Sequence, residues 1–130
     1  MSARLLVIDD EDSMCRFMEI MLSREGYQVE TATSGKDGLT LLKTHDYDLV
    51  FADLNMPEMT GLDVLREARS FKGDQDLIVM TAYASVDTAI EAMKQGAVDY
   101  ITKPFKVDEI KIAIEKSINR KKLIHENEAL

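Results

Sequence analysis

Apolar residues gather in four short runs: Leu5 to Ile8, Val29 with Ala32 around QVETA, Leu49 to Ala52, and Leu77 to Met80. A weaker fifth, VDYI, follows at residues 98 to 101. These runs are continuous rather than alternating, the pattern of strands covered on both faces of a parallel sheet. Between them the spacing becomes helical. Met14, Phe17, Met18, Met21 and Leu22 recur at i, i+3, i+4 and i+7, which predicts a helix from about Asp12 to Glu25, stopped by Gly26. Ser34 suits the cap of a second helix carrying Leu39 and Leu42, and Gly61 opens a third with Leu62 and Leu65 on one face. Ser85 and Thr88 precede a fourth, whose Ile90 and Met93 point one way before Gly96 ends it. The last begins near Val107 and carries Ile110, Ala113, Ile114 and Ile118.

Strand and helix therefore alternate five times, which implies right-handed crossovers and a doubly wound three-layer sandwich. Sheets of this kind bind ligands at the carboxyl ends of their strands, near the switch in strand order. After Ile118 the pattern changes. SINRKKLIHENEAL remains helix-compatible but turns polar, and Leu123 and Leu130 stand seven apart, a single heptad. Residues 1–118 are read as one domain. Residues 119–130 are read as a helical extension that either ends in solvent, pairs with a second subunit, or leads to an effector domain outside this chain.

Composition narrows the choices. The chain's 130 residues suit one domain, and its net charge of −8, from 24 acids against 16 bases, argues against non-specific nucleic-acid binding. A cation or a basic partner fits better. Cys15 is the sole cysteine, so no internal disulfide is expected, and it should pack as a small apolar residue. The first apolar run is too short for a signal peptide, and no run approaches the roughly 20 residues of a membrane span. The expected location is cytoplasmic.

The strand ends carry the candidate chemistry. The first run ends in Asp9 and Asp10, followed by Glu11 and Asp12; the third ends in Asp53, the fourth in Thr81, and the fifth leads to Lys103. Gathered at one edge, the acids repel one another and call for a positive charge. Mg²⁺ answers that call, because it takes few carboxylates and bridges to phosphate oxygens. Lys103 suits a phosphoryl charge and Thr81 a phosphoryl oxygen, while an aspartate so neutralised can act as nucleophile. Taken singly each residue has a plainer role: Asp10 or Asp12 as a helix cap, Thr81 as a loop residue, Lys103 as a surface charge. Their joint placement at the ends of the runs is what points to a site.

Four stretches, VIDDE, DLNMPEMTG, VMTAYAS and DYITKPF, stand in order between residue 4 and about residue 118. Together they resemble the receiver domain of bacterial two-component response regulators. TAYASVDTAIEAMKQGAVDYITKPF is especially similar to receivers of the NtrC-like class, which control an ATPase domain acting on an alternative sigma factor. The resemblance implies an α/β fold: a five-stranded parallel sheet in order 2-1-3-4-5 flanked by five helices, a flavodoxin-like three-layer sandwich.

It also implies roles for individual residues. Asp53 would accept the phosphoryl group from a sensor histidine kinase. Asp10, Asp53 and the Asn55 carbonyl would hold Mg²⁺, with Asp9 acting through a water or a hydrogen bond. Thr81 and the Ala82 N–H would bind phosphoryl oxygens, Lys103 would pair with the phosphoryl charge, and the Lys103–Pro104 bond would be cis. Asn55 and Tyr83 would flank the phosphoryl group. Thr81 and Tyr100 would form the switch, and the fourth helix, fifth strand and fifth helix would form the output surface. Such a receiver catalyses only its own phosphotransfer and dephosphorylation. A homodimer through the last helix or the output face is expected, with no direct contact to nucleic acid or membrane.

The main rival is a Mg²⁺-dependent aspartyl-nucleophile phosphatase, which wants a second acid two residues after the nucleophile; Asn55 stands there instead. A nucleotide- or flavin-binding module would need a glycine-rich loop after the first strand, and DDEDSM is its electrostatic opposite. A purely structural adaptor would have no use for the full set of acids and lysine.

Overall fold

The computed structural model describes residues 3–129, with side chains as far as Leu123. Its elements in chain order are β1 (Arg4–Ile8), α1 (Asp12–Arg24), β2 (Gln28–Ala32), α2 (Gly35–Thr44) and β3 (Leu49–Asp53). They continue as α3 (Gly61–Arg69), β4 (Leu77–Thr81), α4 (Val86–Lys94), β5 (Asp99–Thr102) and α5 (Val107–Ala129). All strand pairs are parallel and the sheet runs β2-β1-β3-β4-β5, the expected order.

Continuous apolar runs are explained by cover on both sides of the sheet. Leu6, Ile8, Val50, Ala52, Leu77 and Val79 point to one face, against Leu39 and Leu42 of α2, Val64 and Leu65 of α3, and Ala92 of α4. Leu5, Val7, Leu49, Phe51, Ile78 and Met80 point to the other, against Cys15, Met18 and Leu22 of α1 and Ile110 and Ile114 of α5. Each large side chain buried this completely stabilises the fold by about 1.5–3 kcal/mol relative to exposure. Charges introduced at these strand positions would have no water on either face.

The helix boundaries follow local chemistry. Ser34 caps α2 by accepting from the Asp37 N–H, and Thr60 with Asp63 and Ser85 with Thr88 form reciprocal capping boxes on α3 and α4. Gly26 and Gly96 follow α1 and α4 with φ of 92° and 100°, where a side chain would be strained. Asp10 and Asp12 do not cap α1, the role considered for them. Glu11 occupies that position without a side-chain bond, and Asp12 lies inside the first turn, paired with Arg16.

Two apolar patterns face solvent rather than core. Phe17 on α1, and Ile90 with Met93 on α4, are 45%, 48% and 49% exposed, and only Ala92 of α4 is fully covered. Periodicity locates a face, but cover depends on the neighbour, and β5 beside α4 is short. Cys15 packs within the core as expected, and burial pushes its thiol up to about 11. No helix among the described residues is long and apolar enough to cross a membrane. The heptad partner Leu130 lies outside the described residues.

Candidate functional site

Sheet register assembles the site. Ile8 pairs with Ala52, so the next residues, Asp9 and Asp53, leave adjacent strands side by side. Asp53 pairs with Met80, which puts Thr81 one step beyond it, and Thr81 pairs with Thr102. The backbone then continues the ladder for one more bond, from the Lys103 N–H to the Thr81 carbonyl at 2.7 Å, which delivers the lysine to the same edge. Residues 94 positions apart in sequence thereby meet: Lys103 Nζ lies 2.6 Å from Asp9 Oδ2 and 3.4 Å from Asp53 Oδ2. The Lys103–Pro104 bond is cis, as the motif implied.

Asp9 is fully buried and also accepts from the Glu11 N–H at 2.9 Å, whereas Asp10 is exposed. Oxygens of Asp9, Asp10 and Asp53 all lie within 4.8 Å of one another. One lysine serves the two buried acids of this group, so negative charge is in excess. Burial pushes the Asp53 carboxyl above its usual range; the Asn55 N–H, donating at 3.1 Å, opposes this, Asp9 adds to it, and Lys103 opposes it. For Lys103, burial alone would lower the ammonium, but the hydrogen bond and charge of Asp9, then Asp53, outweigh it and hold the group above its ordinary value. Three hard oxygen donors, one of them open to water, suit a divalent cation such as Mg²⁺, which keeps several waters and takes few carboxylates.

The loop after β3 is shaped around Asp53. A Cβ on Gly61 would lie 2.8 Å from the Asp53 carbonyl oxygen, so only glycine lets α3 start this close to the strand end. Thr81 is buried beside it; its hydroxyl donates to Asn55 Oδ1 and accepts from the Tyr83 N–H at 3.0 Å. Ala82 follows Thr81 in the exposed loop, and Tyr83 is also exposed. Tyr100 is half-buried against the α2–α4 side of the core, with its hydroxyl 2.8 Å from Thr88 Oγ1.

Thus Asp9, Asp10, Asp53 and Lys103 form one contact group, with Asn55 and Thr81 bonded to each other at its rim. The Tyr100 hydroxyl is held instead by Thr88 in the first turn of α4. Two contacts of the site leave no mark in the sequence. Asn55, expected to offer its carbonyl to the ion and to flank the phosphoryl group, also holds Thr81 through its side chain, and Thr88, expected to precede the fourth helix, lies inside the first turn of α4 and holds Tyr100. No spacing rule links positions 55 and 81; Thr88 and Tyr100 sit in different elements, and only the packing of α4 on β5 joins them.

The family profile described as "Response regulator receiver domain" matches residues 5–115, most of the chain. The chain belongs to the response regulator receiver domain family. Among curated relatives, the Regulatory protein AtoC of Escherichia coli (strain K12) is 37% identical over 131 residues, covering 98% of this chain and 28% of AtoC. The Transcriptional regulatory protein ZraR of Klebsiella oxytoca is 37% identical over 119 residues, 92% of this chain and 27% of ZraR. The receiver thus spans little more than a quarter of these two proteins. A crystal structure of a response regulator receiver domain protein from Clostridium thermocellum aligns with a TM-score of 0.88 at 38% identity, covering 94% of this chain and 98% of that one. The likeness to the NtrC-like class is supported by the AtoC and ZraR matches. The receiver is therefore a domain of two-component signalling whose relatives include transcriptional regulators.

Proposed function

We propose that this receiver is a phosphorylation-dependent switch that takes a phosphoryl group from a sensor histidine kinase onto Asp53. The observation that carries this reading is the meeting of Asp9, Asp10 and Asp53 within 4.8 Å, with Lys103 reaching both buried acids. An Asp53 oxygen attacks phosphorus in line, the bond to the donor histidine nitrogen breaks, and that nitrogen keeps the electron pair. The product on Asp53 is an acyl phosphate. Asp10, Asp53 and the Asn55 carbonyl would hold Mg²⁺, with Asp9 supporting the site from behind through Lys103. When bound, the ion supplies charge neutralisation to the phosphoryl oxygens. Lys103, already shared between two carboxylates, turns to the phosphoryl charge, and Asp9 keeps it aimed there. The Ala82 N–H offers a further donor in the same loop.

The switch reading starts at Thr81. Its hydroxyl is now committed to Asn55, and a phosphoryl oxygen on Asp53 offers a more strongly accepting partner. A move of Thr81 toward Asp53 leaves room for the Tyr100 ring to turn inward, at the cost of its bond to Thr88. The α4–β5–α5 face then changes, as a shift between two packings. Residues 119–130 act as a helical linker toward an effector domain that, by analogy with the NtrC-like class, activates transcription through an alternative sigma factor. Dimerisation through this face or the last helix is part of the same reading.

The test is direct. Asp53→Asn, incubated with a small phosphodonor and Mg²⁺, should form no acyl phosphate while keeping its circular dichroism; normal phosphate incorporation would overturn the assignment. A phosphatase reading is disfavoured because Asn55 cannot transfer a proton and its side-chain oxygen is occupied by Thr81. Sustained turnover of a phosphomonoester by the wild type would reverse that preference.

A further inference from the structure

One buried charge lies outside the site. Asp76 is 5% exposed, immediately before β4, at the amino edge of the sheet and so opposite Asp53. Its side-chain partners all come from α5: Ser117 Oγ donates at 2.8 Å and Arg120 Nη2 at 2.7 Å, and Lys121 Nζ adds an ion pair at 3.9 Å. The Lys121 hydrogen bond itself goes to the Asp48 carbonyl. Buried Gln75 donates to the carbonyls of Asp76 and Tyr47, fixing the backbone that presents the carboxylate.

These bonds begin where the apolar hold of α5 gives out. Ile110, Ala113 and Ile114 are buried, Ile118 is partly so, and Leu123 is 61% exposed. The first half of α5 is therefore held by hydrophobic contact, and the next turns chiefly by the Asp76 carboxylate, with Ile118 and the Asp48 carbonyl adding to it. A buried acid is costly unless paired, and here every side-chain donor comes from the same helix. Its satisfaction depends on that helix being docked. Apolar side chains at these positions would pack at less cost, but they would not offer a contact that a competing acid could take over through Arg120, which is half exposed.

We propose that Asp76 is the pin of a clasp that holds the distal half of α5 against the receiver, giving this half a docked and a released state independent of the first half. The inference does not rest on phosphotransfer at Asp53. Hydrogen exchange on the 130-residue chain tests it, comparing amides of 117–123 with those of 107–114 in the wild type, in Asp76→Asn and in the double variant Arg120→Gln, Lys121→Gln. In both variants exchange should accelerate at 117–123 by at least about tenfold more than at 107–114. Equal acceleration of the two segments, or none in either, would overturn the clasp. Should Asp76→Asn fail to fold, the double variant decides, because it changes only side chains at the surface and leaves the core intact.

Discussion

Asp53 and Glu30 are carboxylates of the same sheet, one at the carboxyl end of central β3 and the other midway along the outer strand β2, and their surroundings push them in opposite directions. Burial raises Asp53, and the Asn55 N–H and Lys103 do not fully offset it. A hydrogen bond from Arg4 lowers Glu30, helped by the Tyr47 hydroxyl at 2.8 Å. The contrast extends beyond these two residues. Away from the carboxyl edge, Glu30 has Arg4, Asp46 has Lys72, and the buried Asp76 has Arg120 and Lys121, while the partly or fully exposed Asp48 and Asp99 make no ion pair among the described residues. At the carboxyl edge Lys103 is divided between Asp9 and Asp53, and among the described residues Asp10 makes no ion pair. The buried acid away from that edge, Asp76, is thus matched by two cations, while the two buried acids at the carboxyl edge share one, the shortage that a site for a cation and a phosphoryl group requires.

The sharpest way to break this comparison is to remove the shared lysine. Lys103→Met leaves two buried carboxylates without their cation and should cost about 3 kcal/mol of stability in metal-free buffer, the scale for breaking a buried pair. Saturating Mg²⁺, at about 100 times its dissociation constant, should return roughly 2.7 kcal/mol by mass action. Urea melts with and without the ion measure both quantities. A variant as stable as the wild type without metal would show that the carboxyl edge is not short of charge.

What the sequence made legible follows from this geometry. Strand runs, helix caps and the strand-end residues Asp9, Asp53, Thr81 and Lys103 were readable because each belongs to a local pattern, and a parallel sheet brings strand ends to one edge without further information. The Ser34 and Ser85 caps lie within three residues of their partners, while Thr60, an equally local cap on α3, goes unread where Gly61 is taken as the start of that helix. Contacts between distant elements were not readable. Asp76 meets Ser117 and Arg120 across 41 and 44 positions, and nothing in DQDLIVM announces a buried charge. Exposure of Ile90 and Met93 was hidden for a related reason: their spacing marks a face, while the area of neighbouring chain decides whether that face is covered.

A smaller effect of opposite sign comes from relieving the excess charge. In metal-free buffer Asp53→Asn should raise stability by roughly 1 kcal/mol, since two like charges a few ångströms apart repel on that scale or above at an effective dielectric near 20. The raised Asp53 pKa fixes the pH dependence. The folded protein holds this proton more tightly than the unfolded chain, so wild-type stability declines as pH rises from 3.8 through the raised folded value. The advantage of the variant should therefore grow across that window and level off above it. Mg²⁺ should remove it by stabilising the wild type alone, and thermal melts at several pH values with and without the ion would expose a constant difference if repulsion were not its source.

The mildest test lies at Glu30, where the sign reverses. Glu30 is held below its ordinary value of 4.5, so the folded protein releases this proton more readily than the unfolded chain. Its contribution is fully present above 4.5 and is lost as pH falls through the lower folded value. Glu30→Gln should therefore lower stability slightly at neutral pH and flatten the acid limb of the stability curve below 4.5, where wild type and variant converge. The effect stays small because the Arg4 and Glu30 side chains are 35% and 34% exposed, and solvent screens exposed pairs. Salt should shrink it further, whereas the Asp53 effect, seated on a buried strand end, should respond less to salt. Denaturant midpoints at low and high ionic strength would separate the two, and an acid limb unchanged by Glu30→Gln would mean that the fold owes nothing to this pairing.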